Sequence, residues 1–478
     1  MSKFIRAVFL QFFIFICNVS GSSPSQPNQT ATLSPVFNQD DIPFTISIEK
    51  IPFSLPTGIH SGATAVWKDK WVFVAGRTNG LHGFNPGNNF PPSEQNTVIY
   101  VVDLKKEEIY SRSLYDPTSG LSQKQIDLIS VTSPQSFQKG KILYISGGYG
   151  VDTTTGLFNT KSALTAINIS KLIKWVKEPG EYNTPHKNIR QVSDPILQVT
   201  GGFMTAPGLD LSTLLVFGQN FTGDYSDSSN CNYTNQVRSF KIIDDGKKLH
   251  VKEKKYLKAN PNYRRRDPNV VPVIHKEKLT FAALSGVFTL DSGIWTVPVI
   301  IKPSGSSLMA DPADPAAFKQ AMNNYACAEA SLYDSSNQES YTLLLGGRSY
   351  GFFQNGVFNT DPEIPFINQV TAIKIDKHGN FTQHLMDNEY PVIASTGSNP
   401  GNTLLFGTSA MFFSNPKIPK HTTTGVFKLR SIKKPTVLGY IAGGIMSTLP
   451  NTNTMLDSTA SPYIFKVVLT PKKHKKKH

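Results

Sequence analysis

The sequence predicts an all-β chain, a six-bladed β-propeller closed by pairing its N- and C-terminal strands, and three observations support that class. Composition favours strands and turns: 35 Gly, 32 Pro, 11% aromatic and only 17% charged residues, with none of the long Leu/Ala/Glu/Lys periodicity of helical proteins. An apolar strand ending in glycine recurs along the chain, each time followed by a polar loop and a second apolar strand. One strand stands unpartnered before the first repeat, and the last repeat lacks its final strand.

At the N-terminus, Lys3 and Arg6 precede the apolar run Ala7 to Cys17, which has signal-peptide length and is too short to span a bilayer. Val19-Ser20-Gly21 supplies small residues where a signal peptidase cuts, so residues 1–21 are expected to be a signal peptide cleaved near Gly21. Ile14-Phe15-Ile16 is too bulky for a lipidation signal, which leaves Cys17 in the discarded segment. No later stretch approaches the ~18 continuous apolar residues of a membrane helix. The expected location is secreted, periplasmic or cell-surface. Residues 22–40, rich in Ser, Pro, Gln and Asn, read as a flexible segment; residues 41–471 form the propeller and 472–478 a basic tail.

The first repeat shows the unit. Gly62 to Trp67, Trp71 to Gly76, Thr97 to Asp103 and Glu108 to Leu114 alternate as four strands, which makes one blade. The glycine-terminated strand returns as ILYISGG (142–148), LLVFG (214–218), LTFAALSG (279–286), YTLLLGG (341–347) and YIAGG (440–444). Its partner returns as ALTAIN (163–168), VRSFKII (237–243), IWTVPVII (294–301), VTAIKID (370–376) and YIFKVVL (463–469). In the last repeat Gly407 to Phe413 reads as an inner strand, with residues 414–436 an insertion before the second. Alternatively LLFG (404–407) and GVFKL (425–429) belong to a seventh blade. Pairing FTISIEKIPF (44–53) with the last strand closes the ring and removes two exposed edges.

A strand ending in Gly-Gly, a loop, a strand ending in Asp or Asn and then an aromatic resembles the kelch repeat of the galactose oxidase/kelch superfamily. Full Gly-Gly pairs stand at 147–148, 346–347 and 443–444, and Trp175 follows Asn168 near the place of a kelch Trp. The resemblance implies a propeller; function sits in grafted sites.

Net charge is +14, with a share of it in the terminal KKHKKKH. Such charge suits an anionic surface or an acidic glycan, and beside a signal peptide it argues against nucleic acid. Outside the signal only Cys231 and Cys327 remain, at most one bridge, in blades that are not neighbours.

Candidate site residues lie where the loops between second and third strands share a face with the starts of the inner strands. Arg77 and Arg348 each follow a glycine-terminated strand and are placed either to clamp a carboxylate or to brace loop carbonyls. Arg264-Arg265-Arg266-Asp267 leads into VVPVI (270–274), so Arg265, Arg266 and Asp267 are either an ion-pair cluster or an anion site. His82 and Tyr350 lie in the same elaborated loops. Phe-Asn recurs at 84–85, 158–159 and 358–359, as loop self-packing or as sugar platforms. His60 and His82 lack a third ligand at recognisable spacing, so no metal is expected. Cys231 near Tyr233 and Cys327 near Tyr325 lack the histidine pair a copper-radical centre requires. No nucleophile elbow, zincin helix or phosphate loop is present. Catalytic residues are unassigned and no cofactor is expected. Two readings remain: a monomeric propeller binding a glycan or extracellular protein through its long loops, with Lys472 to His478 touching an anionic cell surface, or a mutarotase-, epimerase- or lyase-like enzyme acting on an acidic sugar.

Overall fold

The computed structural model describes residues 41–472 apart from 84–88, 181–183, 209–211, 227–229, 292, 422–424 and 453. The expected signal peptide, the 22–40 segment, Phe84-Asn85 and the tail beyond Lys472 lie outside the described residues. Six sheets, each with a four-strand antiparallel path, are arranged radially with their inner strands side by side. The inner strands are Ala63–Trp67, Gln135–Lys139, Phe203–Thr205, Asn269–His275, Ala328–Asp334 and Leu405–Ser414. Apolar side chains fill the spaces between successive blades, because each sheet is one layer thick and has two apolar faces to cover.

The ring closes as the sequence predicts. Phe44–Ser54 runs antiparallel to Tyr463–Pro471, with Ile46 opposite Leu469 and Ile48 opposite Val467. Phe44, Ile46 and Ile48 are buried while Thr45 and Ser47 between them are half-buried, the period of a strand with one covered face. Phe44 is 0% exposed and meets Tyr341 of blade five edge-on at 5.6 Å. We expect Phe44→Ala to cost about 3–5 kcal/mol in denaturant unfolding, because the cavity opens at the seam; a loss below 1 kcal/mol would mean that closure contributes little to stability.

A backbone motif explains why Gly-Gly pairs look incomplete in the sequence. At or near the end of every second strand two consecutive residues have positive φ: Ala75-Gly76, Gly147-Gly148, Phe217-Gly218, Ser285-Gly286, Gly346-Gly347 and Gly443-Gly444. The first position carries a side chain in three blades, as Ala75, Phe217 and Ser285, at a modest strain, whereas at Gly147 an added Cβ would lie 1.9 Å from the Val199 carbonyl oxygen. The second is always glycine, and at Gly76 an added Cβ would lie 2.4 Å from the His60 carbonyl oxygen. In five blades the amide of that second glycine donates to a carbonyl at the start of the next inner strand: Val131, Val199, Arg265, Phe406 and, across the seam, Ile59. The glycines therefore staple one blade to the next.

Two sequence expectations are corrected. There is no seventh blade: Leu405–Ser414 and Thr436–Ser447 belong to blade six, and the intervening insertion sends Phe427–Lys428 alongside the inner strand of blade five. Trp175 does not occupy a fourth strand. Residues Ile169–Lys177 form an α-helix capped by the Asn168 side chain, and Trp175 is fully buried beneath it.

Candidate functional site

The approach to each inner strand repeats a second motif. Ser61, Ser133, Gly201, Asp267, Ala326 and Ser409 all have φ between 48° and 63°. Their backbones form a belt around the central axis: Ser133 donates to Ser61, Gly201 to Ser133, Asp267 to Gly201 and Ser409 to Ala326. The left-handed turn aims the preceding side chain at the axis, and a bridge pairs that residue with the one following the glycine pair. The bridged pairs include His60 with Arg77, Thr132 with Tyr149, Thr200 with Gln219 and Tyr325 with Arg348. These side chains, with Arg266 and Asp267, line a cavity of about 100 Å³ at the loop end of the channel.

Three arginines converge there from blades one, four and five, and they are not equivalent. Arg77 donates Nε to Asn79 Oδ1 at 3.1 Å and Nη2 to the Pro91 carbonyl at 2.9 Å, with Phe90 beneath at 5.0 Å. Arg348 donates Nε to the Ile364 carbonyl at 2.7 Å and Nη2 to that of Glu363 at 3.0 Å, over Phe366 at 5.0 Å. Both brace loops and present their remaining edge to the cavity. Arg266 is different. Its side chain lies between Tyr225 at 5.4 Å and Phe288 at 5.1 Å, only 8% of the residue is exposed, and Nε has no hydrogen-bond partner. The Asp267 carboxylate stands 3.8 Å from that nitrogen, beyond hydrogen-bond reach. A buried guanidinium nitrogen without an acceptor is costly, so an anion placed against Arg266 in this cavity recovers free energy.

Burial governs the cavity's protonation. His60, 4% exposed, is pushed down to about 3 by burial and then by the Arg77 charge, and its Nε2 makes no hydrogen bond of good geometry although Asn79 stands close. His82 packs against Phe90 and Tyr225 and is likewise pushed to about 3 by burial and then by Arg266. Burial raises the Asp267 carboxyl while Arg266 opposes that shift. Arg77 is lowered by burial to about 10 and still holds its charge at neutral pH. Three cations facing one carboxylate leave the cavity net positive.

A histidine titrating near 3 in the fold and near its ordinary 6.5 when unfolded makes the unfolded state bind more protons between those values. Stability from neutral His60 is present above pH 6.5 and is lost on acidification, by roughly 1.4 kcal/mol per pH unit until the folded value is reached. We expect His60→Gln to flatten the fall in unfolding free energy between pH 6.5 and 4 relative to wild type; parallel curves would place the pH dependence elsewhere.

Of the residues singled out in the sequence, Arg77, His82, Arg266, Asp267 and Arg348 come together around the cavity. Arg265 does not. It is 0% exposed, turned into blade four, and donates to the carbonyls of Ala283, Ser285 and Val297 above the Trp295 ring. It holds the blade together, because successive side chains at a strand start point to opposite sides. Tyr350 is 38% exposed and lies outside the cavity lining, since the chain turns away after Arg348 into the hairpin Gly351–Gln354/Val357–Thr360. Phe158 stacks on Tyr149 at 5.7 Å and Phe358 meets Phe353 at 5.4 Å, so these Phe-Asn pairs pack their own hairpins.

Sequence reasoning missed Tyr149, Gln219, Tyr225, Tyr325 and the hydroxyls of Thr132, Thr200 and Thr408. A signal for most of them exists in the dipeptide preceding each inner strand and the residue after each glycine pair, once the blades are superimposed. Cys327 is a buried free thiol, so no Cys231–Cys327 bridge forms. Among the described residues no group of three or more His, Cys, Asp or Glu is placed to hold a metal ion.

No family model matches the chain, and no curated protein is similar to it. Among solved structures it is similar to one described as "Structure of YjhT", with 12% identity, a TM-score of 0.45, and coverage of 87% of this chain and 98% of the other. A likeness at that level bears on neither ligand nor chemistry.

Proposed function

We propose that this chain is a secreted, kelch-like binding propeller whose central cavity takes a small acidic sugar. The observation that carries this reading is Arg266, a buried guanidinium facing the cavity with no hydrogen-bond acceptor on Nε. A carboxylate is the planar partner that matches its fork, and Arg77 and Arg348 add charge on the other sides. Hydroxyl and amide groups of Thr132, Thr200, Gln219 and Thr408 suit sugar hydroxyls, and Thr408 Oγ1 is itself without a partner. Tyr225 and Phe288 give the ring an apolar wall. A volume of about 100 Å³ favours a monosaccharide over a polymer, being below the ~300–1,000 Å³ of drug-sized sites. The six paired positive-φ dipeptides support the kelch-like reading of the repeat.

Titration calorimetry with glucuronate and glucose tests the reading. These sugars differ in the carboxylate, so glucuronate is expected to bind at least tenfold tighter. Equal affinity, or no binding of glucuronate, galacturonate or other acidic monosaccharides, overturns it.

A second reading, catalysis of proton transfer on the bound sugar, is favoured by the neutral His60 with Nε2 unbonded beside the cavity. A neutral imidazole accepts a proton, and ring opening of a sugar needs little more than one positioned acid/base group. Proton NMR of anomer exchange with and without the protein decides it: exchange at the uncatalysed rate leaves the binding reading alone.

A further inference from the structure

The net positive charge is sorted by face. Each inner strand runs from the cavity mouth to the opposite end of the propeller, so turns joining first to second and third to fourth strands all lie on the far face. Those turns are rich in lysine. Lys139-Gly140-Lys141 and Lys276-Glu277-Lys278 join first to second strands in blades two and four. Lys105-Lys106 and Lys247-Lys248 occupy third-to-fourth turns in blades one and three, and Lys377-His378 does so in blade five. In blade six the insertion 415–435 carries Lys417, Lys420, Lys428, Arg430, Lys433 and Lys434 without a single carboxylate. Of these, Arg430 is paired with Asp334, whereas Lys428, Lys433 and Lys434 are exposed. The last described strand also ends on this face at Pro471, where Lys472 bonds the Pro43 carbonyl, and the sequence continues as KHKKKH after it. On the cavity side, outside the positive cavity itself, exposed Asp291, Asp311, Asp314 and Glu363 lie on the connections.

We infer that the face opposite the cavity docks on an anionic lipid bilayer, leaving the cavity mouth turned towards solvent. Carboxylates stand beside the lysines in the turns of blade one (Asp69, Glu107, Glu108), blade three (Asp244, Asp245) and blade five (Asp334, Asp376), so the excess falls on blades two, four and six, alternate blades of the ring, and forms no single stripe. That distribution matches a planar surface better than a linear polymer. The exposed large apolar side chains Leu157, Val357, Val392 and Leu456 belong to connections on the cavity side, whereas Ile243 stands near the end of a third strand beside the far-face turn of blade three, so attachment is chiefly electrostatic and sensitive to salt.

Co-sedimentation with vesicles tests this. The protein is expected to bind vesicles containing 30% phosphatidylglycerol in 0.1 M NaCl, to release in 0.5 M NaCl, and to ignore pure phosphatidylcholine. Two double variants of equal charge change separate a docking face from net charge. Lys433→Glu with Lys434→Glu should weaken vesicle binding at least fivefold, and Lys124→Glu with Lys258→Glu, on the cavity side, less than twofold; unchanged melting temperatures of both exclude misfolding. Equal effects of the two variants, equal binding to neutral vesicles, or binding to heparin or duplex DNA without binding to anionic vesicles each overturns the inference, the last by assigning the face to a polymer.

Discussion

Replacing Arg266 with alanine is expected to weaken binding of an acidic monosaccharide by about 100-fold, near 3 kcal/mol, the scale of a charge-assisted forked pair in a desolvated site. The same change is expected to leave the unliganded protein as stable as wild type or more so, because it removes a buried cation whose Nε has no acceptor. Arg77→Ala and Arg348→Ala should behave in the reverse sense. They strip hydrogen bonds from the carbonyls of Pro91, Ile364 and Glu363, so the fold loses stability along with affinity. Calorimetry for affinity and thermal melts without ligand for stability distinguish the cases. An Arg266→Ala protein that binds glucuronate as wild type does, or that melts markedly earlier, would remove Arg266 from the role assigned to it.

The largest stability effect is expected at Gly147. An alanine there would place Cβ 1.9 Å from the Val199 carbonyl oxygen at a φ of +62°. The clash falls on backbone that cannot yield without breaking the hydrogen bond from Gly148 to Val199 joining blades two and three. We expect Gly147→Ala to lose more than about 3 kcal/mol, combining overpacking with left-handed strain. Gly140 provides the control: its φ is +57°, but nothing lies within 4 Å of an added Cβ. Gly140→Ala should therefore cost only about 1 kcal/mol, the conformational term alone. Equal losses in denaturant unfolding would show that conformation, and not the contact between blades, dominates at the glycine pair.

Much of the architecture was legible because propeller blades are local. Four strands in sequence order pair with their neighbours, so hydrophobic alternation and glycine-terminated strands were enough to count blades and to pair the strand around Ile46 with the last strand, while the register came from the structure. The helix holding Trp175 was not read from the sequence, although a signal for it was present. Ile169, Leu172, Ile173 and Val176 follow helical spacing, and in the fold that period prevails over the expected aromatic of a fourth strand.

What the sequence by itself determined was the list of elements, their order and the closing pair, since these follow from periodicity over a few residues. Only the tertiary structure decided which polar residues meet. Arg265 and Arg266 are adjacent and chemically identical, yet one is buried in blade four and the other faces the cavity. The side of the strand on which each falls depends on where the left-handed Asp267 turns the chain relative to the axis. The charge told the same story: a string of lysines reads as scattered until the alternating direction of strands gathers alternate turns onto one face.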